Sequence, residues 1–234
     1  MPRKLTTILL ALFVGGLCVA ASASAIKAFS IYANDMSTTE KKAQIRAVSG
    51  RACQRGGSPE ALRVELGRKT QECILRTPVV GRDVEIIVTE RLLSGTPRPQ
   101  RRRTFLAVNL RHGKGLGRYQ LAVFPLQRKY QLRKVVPGRD IRYLAVGKRI
   151  SAIKGTNKAN RIRLRAFNLR GTRDKDDCRL LVYVNGKRLA VVTDPRSGSL
   201  QGRETSFSAG AGRPDRGAIA SFDNVKVRVP RPTF

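Results

Sequence analysis

From Ala61 onward, apolar and polar residues alternate with a period of two. The stretch "RDVEIIVTERLL" puts Val84, Ile86, Val88, Glu90 and Leu92 on one side and Asp83, Glu85, Ile87, Thr89 and Arg91 on the other. Successive side chains of a strand point to opposite faces, so the pattern predicts a half-buried β-strand. It recurs in "TFLAVNLRH", "RYQLAVF", "KYQLRKV", "RIRLRAF", "RLLVYV", "KRLAVV", "TSFSAG" and "IASFDNVKVRV". Segments dense in Gly, Pro, Asn and Asp separate these runs: "SGTPRPQ", "HGKGLG", "VPGRD", "GTNKAN", "DPRSGS" and "GAGRPDRG". Asn185-Gly186, set between "LLVYV" and "KRLAVV", is the dipeptide of a type I′ hairpin turn. About a dozen short strands with this punctuation, and no helical pattern after residue 50, predict an all-β fold. The expected architecture is an antiparallel sandwich or jelly roll over residues 59–230.

The N-terminal part follows another pattern. Residues 1–25 run from Arg3 and Lys4 through an apolar stretch, Leu5 to Ala21, to Ala23-Ser24-Ala25. This is the layout of a signal peptide, cleaved after Ala25 or retained as an N-terminal membrane anchor, since the apolar stretch sits at the lower limit for spanning a bilayer. Residues 26–58 read as a linker with a short helix over about 38–48, Ser37 serving as N-cap and Glu40 completing a capping box. Residues 231–234 are a tail. Export places the protein outside the cytoplasm, secreted or anchored to the membrane. In that setting Cys53 and Cys73, which flank the strand-like "ALRVELG", are expected to form a disulfide, leaving Cys178 as a free thiol or an intermolecular partner.

Charge narrows the partners. Lys and Arg number 47 against 16 Asp and Glu, a net charge of +31. Such an excess favours polyanions: acidic glycans, wall polymers or anionic lipid. Arg161, Arg163 and Arg165 share one strand face, a basic stripe about 13 Å long that cannot face a dry core. The loop "TPRPQRRRT" adds further basic residues. Nucleic acid is not the expected partner, because the chain reads as exported and carries no helix-turn-helix, RNP or zinc pattern. No CxxC occurs, and the single histidine, His112, is far from the cysteines. "DKDD" lacks the spacing of a calcium loop and reads as a polar hairpin tip.

Catalysis of glycoside hydrolysis requires two carboxyl groups flanking the bond. Asp83, Glu85, Glu90, Asp140 and Asp223 are the candidates, but no strand face groups them beyond Asp83 and Glu85, which are expected to offset arginines. His112 has no Ser or Cys partner in view and reads as an exposed strand end.

"GLGRYQLAVFP", "KYQLRKV", "NRIRLRAF", "LVYVNGKRLAVVTD" and "ASFDNVKVRVP" together, in order and spacing, resemble the concanavalin A-like jelly rolls related to laminin-G domains and to 3-keto-disaccharide hydrolases. The resemblance covers about residues 60–230. It implies two curved sheets, one with a concave face that in many relatives receives glycans. By motif it places Arg111 and Tyr119 near that face and sets Asp223 where some relatives hold a structural calcium. Charge adds Arg133, Arg161, Arg163 and Arg165 to the expected ligand-binding set, with Tyr119 or Tyr130 offering a ring. The chain has no tryptophan at all, unlike most sugar-stacking platforms. The resulting expectation is non-catalytic binding of an acidic glycan or cell-wall polymer, with no cofactor other than calcium. A glycosidase-like enzyme and a structural envelope domain are the alternatives.

Overall fold

The computed structural model describes residues 28–48, 53–58, 61–67, 71–113, 115–169, 177–195, 200, 202–211 and 217–230. The signal-peptide segment and most of "DKDD" lie outside them. Among the described residues, fifteen strands form two antiparallel sheets. The first sheet runs β13 (Lys187–Asp194), β12 (Cys178–Val184), β11 (Asn160–Asn168), β6 (Val84–Leu92), β15 (Ile219–Pro230), β4 (Ala61–Leu66), β3 (Cys53–Ser58). β1 (Ala28–Asn34) joins it by pairing with β15. The second sheet runs β10 (Arg142–Gly147), β9 (Lys129–Val135), β8 (Gly117–Phe124), β7 (Phe105–Gly113), β14 (Glu204–Gly210), β5 (Glu72–Val80), β2 (Arg46–Ala47).

Period-two alternation decides which face is dry. Val84, Ile86, Val88 and Leu92 of β6 are fully buried, as are Ile162 and Leu164 of β11. They pack against the inward residues of the second sheet, among them Leu106, Val108, Leu121 and Leu132. Phe207 of β14 and Phe222 of β15 join the two layers with ring centroids 4.8 Å apart. Glu90 shares this inward face: it is 0% exposed, and neither carboxylate oxygen has a hydrogen-bond partner.

Two elements lock the layers. The disulfide Cys53–Cys73 ties β3 of the first sheet to β5 of the second, with the Cα atoms 5.7 Å apart. At the opposite edge, buried Asp194 of β13 accepts from Tyr119 Oη and Lys134 Nζ, both at 2.8 Å, from β8 and β9. Cys178 lies beside Asp194 in register, buried and outside any disulfide. Burial pushes its thiol pKa up to about 11. The hairpin at residues 185–186 forms as the sequence requires, with positive φ at Asn185 (50°) and Gly186 (82°).

The N-terminal region departs from expectation. The segment 26–58 is not a bare linker: it supplies β1, β2 and β3 and buries Met36 and Ile45 in the core. Its helix α1 covers only Thr39–Ala43 and is capped by Thr38, whose side chain accepts from the Lys41 amide, in place of Ser37. The chain leaves the helix because burial of Ile45 and pairing of Arg46–Ala47 with β5 compete with further turns. A second short helix, α2 (Arg98–Arg101), occupies the "TPRPQRRRT" loop. No helix among the described residues is long and apolar enough to cross a membrane.

Candidate functional site

The outward face of the second sheet carries an unbroken polar row. In register across all seven strands stand Arg46, Arg76, Ser206, Asn109, Gln120, Arg133 and Tyr143. With strands ~4.8 Å apart, the row spans about 29 Å. Its central members point away from the core yet are almost closed to solvent: Asn109 and Ser206 are 0% exposed, Gln120 1%, Arg133 8%. Curvature accounts for this. Glu72 on β5 reaches across β14 and β7 to bond Gln120 Nε2 (2.7 Å) and Arg118 (2.5 Å) on β8, three strands away, and it also accepts from Ser208 Oγ (2.7 Å). The face is therefore cupped, and the side chains on its floor hold one another in place.

Arg133 is the best-organised cation here. Its guanidinium donates to Gln131 Oε1 and to Gln120 Oε1 (3.3 Å), and it lies 5.1, 5.4 and 5.9 Å from the ring centroids of Phe105, Phe124 and Tyr143. Three rings around one guanidinium fix its direction without neutralising it. Gly210 permits this packing, since a Cβ there would meet the Phe105 ring at 2.1 Å. Tyr143 is 54% exposed, so the ring at this end of the row is open to a ligand.

On the central strand β7, His112 approaches Ser206 Oγ (3.3 Å) between the positive charges of Arg118 and Arg76. Burial and these two guanidinium groups pull its pKa down to about 4, so the ring is neutral at neutral pH. Arg76 pairs with Glu204 at 3.0 Å, and the Nε atoms of Arg76 and Arg118 are buried without an acceptor. At the β5 end a cavity of about 520 Å³ opens beside Arg46, Arg76, Pro78 and Glu204.

The residues singled out from sequence divide among three places. Arg133 lies on the cupped face. Arg111 does not: a bulge between Leu110 and Gly113 gives it φ 53°, and its 3% exposed side chain turns between the sheets to Asn168 Oδ1 (2.5 Å) and Asp83 Oδ1 (3.5 Å). The same bulge leaves the outward place to His112. Tyr119 and Tyr130 point into the core, 0% and 5% exposed, so neither presents a ring to a ligand. Tyr143 does so instead. Arg161, Arg163 and Arg165 lie on the outer face of the first sheet, on the far side of the sandwich. Asp223 lies there too, bonded to Asn224, and no cluster of three metal-ligating side chains occurs among the described residues. Of the carboxylates weighed for catalysis, Glu85 is bound by Arg163 and Arg228, Glu90 is in the core, and none stands on the cupped face.

The sequence reading missed Glu72, Arg76, Asn109, Arg118, Gln120 and Tyr143. Their signal was parity: in "RYQLAVF" the inward Tyr119, Leu121 and Val123 leave Arg118, Gln120 and Ala122 outward. Only strand order shows that such positions line up.

No protein-family model matches the chain, and no curated protein matches it. Solved structures do. A carbohydrate-binding module, CBM66, from Bacillus subtilis aligns with TM-score 0.56 at 16% identity over 79% of this chain and 94% of that one. A Bacillus subtilis protein of unknown function with a galectin-like fold aligns with TM-score 0.59 at 12% identity, over 88% and 100%. The alginate lyase Aly36B aligns with TM-score 0.57 at 13% identity, over 86% and 95%. At these identities the likeness is one of fold, and the fold is the concanavalin A-like jelly-roll sandwich.

Proposed function

We propose that this chain binds an acidic glycan or cell-envelope polymer outside the cytoplasm, along the cupped face of the second sheet, without cleaving it. The observation that carries the reading is the row from Arg46 to Tyr143, which gives every strand of that sheet a polar or charged side chain in one line. Its exposed ends, Arg46 and Tyr143, stand about 29 Å apart, a span that suits an oligosaccharide stretch of a polymer rather than a single sugar. Arg46, Arg76, Arg118, Arg133 and Lys129, whose Nζ lies 5.3 Å from the Phe124 ring centroid, outnumber Glu72 and Glu204 among the described residues of this face, which favours carboxylate- or sulfate-bearing sugars. Tyr143 offers the stacking surface that the absent tryptophans do not. The similar structures include a carbohydrate-binding module and an alginate lyase, which supports a glycan as the ligand class. The Cys53–Cys73 bridge agrees with an oxidising, extracytoplasmic location.

Glu72 and Glu204, the carboxylates of this face, are each held by an arginine, so neither is placed as the proton donor a glycosidase needs. A cleaving enzyme has one observation in its favour, the neutral His112 between Arg76 and Arg118. One experiment separates the readings: equilibrium binding of polygalacturonate and of a neutral glucan at low and physiological salt, with chain length followed over time. Binding reads as polyuronate retained, glucan ignored, affinity falling steeply with salt and length unchanged. Shortening of the polymer replaces the binding reading with the enzymatic one, and equal affinity for the neutral glucan removes the acidic ligand.

A further inference from the structure

The basic stripe Arg161, Arg163 and Arg165 has no part in the cupped face, because it lies on the outer face of the opposite sheet. Register shows how far that face extends. Arg228 of β15 and Arg165 both stand opposite Glu85, and Lys226 and Arg163 both stand opposite Ile87. Arg91 of β6 and Arg63 of β4 flank Ser221, while on the other flank Arg179 opposes Phe167 and Arg188 opposes Tyr183. Cations thus occupy the outward positions of six neighbouring strands. Among the described residues, the carboxylates at the outward positions of these strands are Glu65, Glu85 and Asp223, and Glu85 is 3% exposed and already bound by Arg163 (2.6 Å) and Arg228 (3.5 Å).

The side chains here are presented differently from those of the cupped face. Arg63, Arg161, Arg179 and Arg188 are exposed, and the guanidinium carbons of Arg163 and Arg165 lie 4.3 and 5.0 Å from the ring centroids of Tyr183 and Phe167. Cations spread over about 24 Å across the strands and about 13 Å along them form a two-dimensional array. A single polymer strand meets one line of such an array, whereas a plane of anionic headgroups meets all of it. The chain itself supplies a second pointer. The apolar run Leu5–Ala21 ends seven positions before Ala28, where β1 begins, and β1 pairs with β15 of this same sheet.

We infer that the outer face of the first sheet is a docking surface for an anionic lipid bilayer, leaving the cupped face free for its ligand. Each basic residue near such a surface strengthens binding about fivefold. If residues 1–25 are removed, the array is the remaining attachment. This inference rests on a different face from the proposed glycan site and stands or falls separately.

The test is vesicle co-sedimentation of the full chain with phosphatidylcholine vesicles and with vesicles containing phosphatidylglycerol, at low and physiological salt. The apolar segment contributes alike to both, so the difference reports the basic face. The wild type is expected to prefer phosphatidylglycerol, and the triple variant Arg161→Ser, Arg165→Ser, Arg179→Ser to lose roughly a hundredfold of that preference. The corresponding Lys variants, which keep charge and packing stems, should retain it, and they decide the matter if the Ser variant unfolds. The inference is overturned if a folded Ser triple keeps the wild-type preference or if the Lys triple loses it. It is overturned equally if the wild type shows no preference while the triple loses affinity for DNA or polyuronate.

Discussion

Glu90 and His112 show what individual positions reveal. Alternation in "VEIIVTERL" placed Glu90 with Val84, Ile86 and Val88, and the structure keeps it there, fully buried and unpartnered. Sequence pattern gave the face correctly, but its place among the catalytic candidates ignored what that face was. Burial holds the carboxyl well above the usual range. An acid with a raised folded-state pKa adds no titration cost below its unfolded value near 4.3, where only the desolvation of the neutral carboxyl remains. As pH rises above that value, stability falls by about 1.4 kcal/mol per unit until the folded-state pKa is reached. Denaturant unfolding at pH 4 and pH 7 should therefore show Glu90→Leu gaining on the wild type as pH rises. A gap that stays constant would mean the carboxyl is not buried as described. His112 acts in the opposite direction, since its depressed pKa gives stability that is complete above about 6.5 and is lost as pH falls toward 4. His112→Asn should flatten that acid limb, and an unchanged limb would show the ring to be solvated.

At the scale of elements, the strands were the legible part. Each run with clear alternation became a strand, and Asn185-Gly186 became the turn its chemistry demands. The strands that escaped were β5 and β10, which carry Glu72, Arg76 and Tyr143, and the N-terminal pieces β1, β2 and β3: "CQRGGS" has no apolar alternation, and Arg46–Ala47 is too short to show any. These pieces are strands because the sheet edges recruit them, a tertiary effect that local sequence does not carry. The bulge at Arg111 was illegible for the same reason, and it exchanged Arg111 for His112 on the outer face. Two predictions belong here. Reducing Cys53–Cys73 removes a link between the sheets and should lower stability by about 3 kcal/mol, read as a drop in Tm that alkylated protein retains. Asn185→Ala gives up the left-handed residue and its side-chain bonds to Ala152 O and the Arg161 amide. A loss of about 2–4 kcal/mol is expected in urea unfolding, and a change under 0.5 kcal/mol would mean the turn does not depend on this side chain.

At the scale of the molecule, a net charge of +31 is not spread without pattern. The cupped face holds its arginines among amides, hydroxyls and rings, in a line. The outer face of the other sheet holds them in an array, with Arg63, Arg161, Arg179 and Arg188 exposed. Composition alone raised the expectation of a polyanion, but a chain read in one dimension could not show that two opposed faces divide the charge, because that division follows from strand order. The most direct measurement is polygalacturonate affinity, by calorimetry at low salt, for the wild type and two variants: Arg118→Ser with Arg133→Ser on the cupped face, and Arg161→Ser with Arg165→Ser and Arg179→Ser on the other. Loss of two charge-assisted contacts predicts at least a tenfold weakening for the first variant. The second should bind within about threefold of the wild type, both keeping the native Tm within a few degrees. Equal weakening in both would mean that charge alone binds the polymer, and undiminished binding by the folded cupped-face variant would contradict the account.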